Sequence, residues 1–351
     1  MRDCRFAAGG LKWPLQIKTM KALVLNEIKQ PLTLEERPDL QSVAGEVVVT
    51  LKAAALNRRD FWITRGMYPG IATPIVPGSD GAGVVTKLGE GVDPAWLDRK
   101  AIINPGFDWG DSQSAQADEF TILGLPRDGT FATEVAVPVG QLHAKPEALD
   151  WEHAAALPLA GVTAYRAVFS QGGLKSGETV LITGIGGGVA TFALQFAVAA
   201  GANVWVTSSS PEKIERAKAL GAKGGFDYKD DNWGKACLKE ADAPDLVIDS
   251  AGGSGYGTLT QLAAPGGRIV NYGSTAGPPE NLDLFKIFWK QLRIQGSTMG
   301  SPEDFTAMLK FVAQRGIKPV VDEVFPLEEG AAAVEQMKRS PQFGKCVLKM
   351  D

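Results

Sequence analysis

The sequence predicts an α/β protein in which a small antiparallel β-barrel leads into a doubly wound parallel sheet. Three observations carry that prediction. The stretch from Glu178 to Gly201 reads as an apolar strand, a glycine turn and a helix. From residue 180 to 297, strands and helices alternate, as a parallel sheet covered on both faces requires. From Met20 to about Val137, short β-rich runs are broken by Gly, Pro and Asp, as in a small barrel.

Composition bounds the rest. At 351 residues the chain is long enough for about two domains, and 44% hydrophobic residues supply a core for each. A formal charge of -4 gives no basic field, so nucleic acid is not an expected partner. The apolar runs are too short or too glycine-rich to span a bilayer. Three scattered cysteines, Cys4, Cys237 and Cys346, make no disulfide framework and fit a reducing cytosol, the expected location. Residues 1–19 read as an appendage, disordered or tag-like: they hold no continuous apolar segment for a secretory signal and lack the Arg- and Ser-rich character of a transit peptide. The working chain is expected to start near Met20.

In the first lobe, Val47 to Ala54, Gly81 to Leu88 and Gly129 to Val137 are the expected strands, and a helical stretch opens around Tyr165. The parallel sheet follows, with strands Val180 to Thr183, Asn203 to Thr207, Gly225 to Tyr228, Leu246 to Asp249, Arg268 to Tyr272 and Leu292 to Gly296. Helices fall at 189–200, 211–220, 232–240, 256–263 and 284–290. Ser210-Pro211-Glu212 and Ser301-Pro302-Glu303-Asp304 are helix starts: a serine cap, proline first inside, acid in the first turn. A helix over Leu327 to Met337 and a strand over Lys345 to Lys349 close the chain.

The turn Gly184-x-x-Gly187-x-x-Ala190 suits a dinucleotide pyrophosphate. Its backbone N–H groups and the helix N-terminus face the anion, missing side chains admit it, and Ala190 lets the helix pack on the strand. An NAD site would place an acid at the end of the second strand, about 20 residues past the first glycine. Here Thr207, Ser208, Ser209 and Ser210 stand there, with Lys213 and Arg216 on one face of the next helix. Hydroxyls and cations suit a 2′-phosphate, so NADPH is the expected cofactor, although a solvated helix face explains the same two cations. The two histidines, His143 and His153, have no second ligand at metal spacing, and no Cys-x-x-Cys occurs, so no metal is expected.

These residues resemble the medium-chain dehydrogenase/reductase superfamily, and within it the zinc-free quinone oxidoreductase, zeta-crystallin-like branch. The resemblance runs from Met20 to Met350. It is carried by Pro77 to Val85, Gly129 to Pro138, Ala154 to Tyr165, the glycine turn and the closing Gly344-Lys-Cys-Val-Leu348. It implies a GroES-like catalytic domain over 20–152, a Rossmann domain over 153–296 and a return to the catalytic domain over 297–351. Zinc-dependent relatives have Gly-His-Glu where this chain has Gly78-Ser79-Asp80, and a ligand Cys where it has Asn57.

The resemblance also implies site roles. Lys213 and Tyr228 match residues that grip the 2′-phosphate, beside Ser208 and Ser209. Gly184, Gly187, Gly188 and Val189 match the pyrophosphate turn. Thr163, Tyr272, Gly273 and Ser274 match positions at the nicotinamide. The implied reaction is hydride transfer to a quinone or an α,β-unsaturated carbonyl, with Asn57 and Tyr68 as catalytic donors to the developing charge. Trp62, Ser79 and Asp80 would line the substrate pocket. Alternatively Asn57 only caps a helix, Tyr68 anchors a loop, Trp62 is core, and Asp80 pairs with Arg58 or Arg59 on the cleft floor. Those two arginines would favour an anionic substrate. An alcohol or carbonyl dehydrogenase on the same scaffold and a non-catalytic NADPH-binding protein are the competing readings. A homodimer or homotetramer is implied, with Ile287-Phe-Trp289 near the contact, and a small molecule is the expected substrate.

Overall fold

A computed structural model describes residues 19–339 and 342–350; the expected N-terminal appendage lies, apart from Thr19, outside them. The second lobe is a six-stranded parallel sheet. Its spatial order is Gly224–Phe226, Asn203–Thr207, Thr179–Ile182, Leu246–Asp249, Arg268–Asn271 and Arg293–Gly296. In chain order that is 3-2-1-4-5-6, the doubly wound arrangement. The order reverses between Thr179–Ile182 and Leu246–Asp249, so a crevice opens past the carboxyl ends of those two strands.

Local sequence explains the elements around that crevice. The helix Gly188–Ala199 is apolar over most of its surface because most of it is buried, residues 190–194, Phe196 and Ala197 fully so. The sheet covers one flank and the helix Pro158–Tyr165 the other. Ala200 ends it, and Gly201 takes φ +85°, the left-handed geometry glycine adopts without strain. Ser210 caps Pro211–Ala219 through the Lys213 N–H at 3.3 Å. Ser301 caps Pro302–Arg315 through the Asp304 N–H at 3.1 Å, and the Asp304 carboxylate returns the bond to the Ser301 N–H at 3.0 Å.

The first lobe is a seven-stranded, mainly antiparallel sheet. Glu46–Ala55 is its hub, pairing with Asp80–Leu88 along one edge. On the other edge its first half pairs with Glu134–Pro138 and its second with Lys345–Lys349. The last strand of the chain, with Val321–Pro326 beside it, therefore sits in the first lobe's sheet. Among the described residues no helix is long and apolar enough to cross a membrane.

Several expected boundaries move. The helical stretch opens at Trp151 and not at Tyr165: Asp150 caps Trp151–Ala156, and Pro158 begins the next helix, where its missing N–H costs nothing. Gly129 to Thr133 is irregular, and only Glu134–Pro138 forms ladder. The third parallel strand ends at Phe226, which frees Tyr228 to turn toward the crevice. The expected helix over 327–337 divides into a tight turn Leu327–Glu329, a helix Gly330–Gln336 and a second tight turn Met337–Arg339.

Candidate functional site: a cleft between the lobes

A cleft of about 1240 Å³ runs from the glycine turn to the first lobe. Gly184 and Gly186 hold φ of +62° and +122°, which favour glycine. An added Cβ at Gly184 or Gly187 would meet nothing within 4 Å, so the backbone there is open to a ligand. Thr207 fixes the turn: its hydroxyl accepts from Gly184 N–H at 3.1 Å and its carbonyl from Ile185 N–H at 2.9 Å. The 12-residue helix then starts at Gly188 and Val189, both on the cleft wall. The first N–H groups of that helix, which have no intrahelical carbonyl, and the room for close approach together fit a pyrophosphate.

One end of the cleft gathers Ser208, Ser209, Lys213 and Tyr228. The Tyr228 hydroxyl donates to Ser209 Oγ at 3.0 Å, an exposed bond that a ligand can replace. Lys213 lays its stem over Gly186, where an added Cβ would stand 2.9 Å from Lys213 Cδ. Burial holds its ammonium below the ordinary lysine value, with Asp322 pulling the other way. Arg216 does not join this group. It turns to the C-terminal return, pairs with Asp322 at 2.8 Å and stacks 4.5 Å over Phe343. The expected two-cation face is therefore one lysine, because the return of the chain captures the arginine.

The other end gathers Thr163, Tyr272, Gly273 and Ser274 from the second lobe and Asn57, Trp62 and Tyr68 from the first. Burial pushes the Tyr272 hydroxyl up to about 12, so it stays a proton-bearing donor. Thr163 spends its hydroxyl proton on the Leu159 carbonyl at 2.7 Å. The Tyr68 hydroxyl makes no hydrogen bond among the described residues and faces the cleft unspent.

Ser79 and Asp80, expected in the pocket, do not line it. Both are fully buried beneath its floor. Asp80 Oδ2 accepts from Lys345 Nζ and from Asn57 Nδ2, each at 2.9 Å, and Oδ1 accepts from Leu159 N–H at 2.7 Å. Its expected pairing with Arg58 or Arg59 is replaced by Lys345, which the last strand carries in. Asn57 reaches the cleft, but its amide is engaged on both sides, since Oδ1 accepts from Lys345 Nζ at 2.6 Å. Its backbone N–H donates to Asp60 Oδ2 at 2.7 Å at the start of the helix Arg58–Thr64. Asp60 is fully buried, and burial pushes its carboxyl up to about 6 against the pull of Arg59, that N–H and Lys345.

Lys345 is the site residue that sequence reasoning passed over. It is 3% exposed, lines the cleft and runs its stem along the helix start, where an added Cβ on Gly188 would stand 2.7 Å from Lys345 Cδ. The available signal was a lysine followed by an apolar strand, Cys346-Val-Leu348, in a position where burial is the rule.

Comparison with known proteins gives a consistent picture. A family model described as alcohol dehydrogenase GroES-like domain matches residues 43–147, and one described as zinc-binding dehydrogenase matches 188–314. A zinc-type alcohol dehydrogenase-like protein of Schizosaccharomyces pombe is 38% identical over 317 residues, 88% of this chain and 91% of the relative. An acryloyl-coenzyme A reductase of Sulfurisphaera tokodaii is 30% identical over 338 residues, 94% of this chain and 100% of the relative. The crystal structure of an NAD-dependent alcohol dehydrogenase superposes with a TM-score of 0.89 at 35% identity, covering 94% of this chain and 100% of that one. Zinc, which some of those names carry, does not fit the donors present. Asn57 and Ser79 are neutral and engaged, and among the described residues no three His, Cys, Asp or Glu side chains gather as a metal would need.

Proposed function

The chain belongs to the medium-chain dehydrogenase/reductase superfamily of oxidoreductases, with its GroES-like and Rossmann-type lobes, and from that premise we propose that it is an NADPH-dependent reductase that delivers hydride, without a metal, to a quinone or an α,β-unsaturated carbonyl. The observation that carries the reading is the adenosine end of the cleft. The second strand ends in Thr207 with no acid; Tyr228 bonds Ser209 just past it, and Lys213 lines the same cleft with its stem over Gly186. A carboxylate would repel a 2′-phosphate; two hydroxyls and an ammonium receive one.

Bound NADPH would supply the hydride from nicotinamide C4. The chain's residues do the rest. The N–H groups of Gly187, Gly188 and Val189 would hold the pyrophosphate, and Thr163, Tyr272, Gly273 and Ser274 would border the nicotinamide. Trp62 offers a flat apolar wall to a conjugated acceptor. The Tyr68 hydroxyl, unspent, donates to the oxygen on which charge develops. Asn57 takes a positioning role in this reading, because Asp80 and Lys345 hold its amide.

The test is NADPH oxidation against a panel of quinones, enones, enals and aldehydes, with NADH in parallel. Turnover of ethanol and aldehydes alone, or a preference for NADH, would favour the second reading, an alcohol dehydrogenase, which the similarity to an NAD-dependent alcohol dehydrogenase supports. We also propose a homodimer. The outer strand Arg293–Gly296 is exposed throughout and has an edge unpaired among the described residues. Beside it Phe285, Phe288 and Trp289 stand 58%, 62% and 71% exposed, an apolar face that a second copy would cover.

A further inference from the structure

The cleft floor holds a charge with no counter-ion in contact among the described residues. Arg59 is 8% exposed. Its Nη1 donates to the Ser79 hydroxyl at 2.7 Å and to the Leu123 carbonyl at 2.8 Å, both neutral acceptors. Its Nε is buried and donates to nothing among the described residues. The nearby carboxylates are otherwise arranged. Asp80 is taken by Lys345, Asn57 and the Leu159 N–H. Asp60, next in the chain, turns Oδ2 to the Asn57 N–H, and its Oδ1 is buried without a partner, so it acts on Arg59 only through space.

Burying a guanidinium without a contacting anion is unfavourable, so a ligand that brings an anion to it is favoured. Arg59 lines the cleft and lies 5.0 Å from the Tyr68 ring centroid. Arg58, by contrast, is engaged with the Met337 carbonyl and the Trp62 ring, so the two arginines do not share a role. The geometry points to an acceptor substrate that carries its own carboxylate, received on the cleft floor by the Arg59 guanidinium with the Tyr68 hydroxyl beside it. A guanidinium suits a carboxylate better than a carbonyl, and the burial of Arg59 strengthens the attraction. This rests on the reductase reading for the position of the reacting bond, but the anion site stands on the Arg59 environment alone.

The test is therefore a binding measurement, independent of turnover. Full-length protein saturated with NADP⁺ is titrated calorimetrically with trans-cinnamate and with trans-cinnamamide, its neutral isostere. The acid should bind tighter by about tenfold or more. Arg59→Gln should erase that preference, and Arg59→Lys should keep part of it. Fluorescence titration with NADPH checks that each variant retains its fold; if Arg59→Gln does not, the wild-type and Arg59→Lys comparison decides. Equal affinity for acid and amide in the wild type, binding of neither, or a preference that survives Arg59→Gln would each overturn the proposal. The case in which Arg59 only stabilises charge developing on a neutral acceptor gives equal affinities and is overturning too. Absence of NADPH binding in the wild type would instead count against the reductase reading.

Discussion

Lys345 Nζ lies 2.9 Å from Asp80 Oδ2 with both side chains shut off from water, 3% and 0% exposed. The pair joins the last strand of the chain to a strand some 265 residues earlier. The same ammonium reaches Asn57 at 2.6 Å and runs along Gly188, so one side chain ties both walls of the cleft.

Removing one partner strands the other. Lys345→Met should lower stability by about 3–5 kcal/mol, the range for an uncompensated buried charge. The double variant Lys345→Met with Asp80→Asn should recover much of that, since no charge is then left unpaired. Urea unfolding of the three proteins checks this, and a double variant as weak as the single would show that the lysine acts through packing alone.

If Lys213 and Tyr228 hold a 2′-phosphate as proposed, Lys213→Ala and Tyr228→Phe should each raise the Michaelis constant for NADPH. About tenfold, or roughly 1.4 kcal/mol, is expected for the lysine and less for the hydroxyl. Constants for NADH should barely move. Steady-state kinetics with both nicotinamides decide, and parallel losses for the two would mean that neither residue reads the phosphate.

Asp60 gives a pH dependence with a defined sign. Its carboxyl is raised from 3.8 to about 6 in the folded protein. Between those values the folded state binds a proton that the unfolded chain has released. Its contribution is therefore complete below about pH 4 and is lost as pH rises through about 6, on the order of 3 kcal/mol at most. Asp60→Asn keeps an acceptor for the Asn57 N–H and should flatten that slope relative to wild type. Chemical denaturation at pH 4.5 and about 7 compares the two, and identical slopes would contradict the assignment.

The exposed face at Phe285, Phe288 and Trp289 should govern assembly. Trp289→Glu should yield a monomer on light scattering where the wild type is a dimer, with no loss of helix content by circular dichroism. A wild-type monomer, or a variant that stays dimeric, would remove that face as the contact.

Much of the fold was legible because its signals are local. The serine caps at Ser210 and Ser301 work through N–H groups three residues on, and the helix stop at Gly201 needs only a left-handed residue. The start of the first inter-lobe helix was misread because its cap, Asp150, lies 15 positions before the Tyr165 taken as the opening. The glycine turn was legible at Gly184–Val189, which the structure places on the cleft wall with Gly184 and Gly187 open to it. The cleft was less legible at Arg216, whose partner Asp322 lies 106 residues away.

By itself, the sequence determined the parallel sheet, the glycine bend and an acid-free end to the second strand, because each depends on residue types a few positions apart. Only the tertiary structure decided that Asp80 belongs to Lys345, that Asn57 is held on both sides, and that Arg59 lines the cleft with no contacting carboxylate among the described residues. Those outcomes follow from which distant strands meet, and a charge has no defined partner until the chain has closed around it.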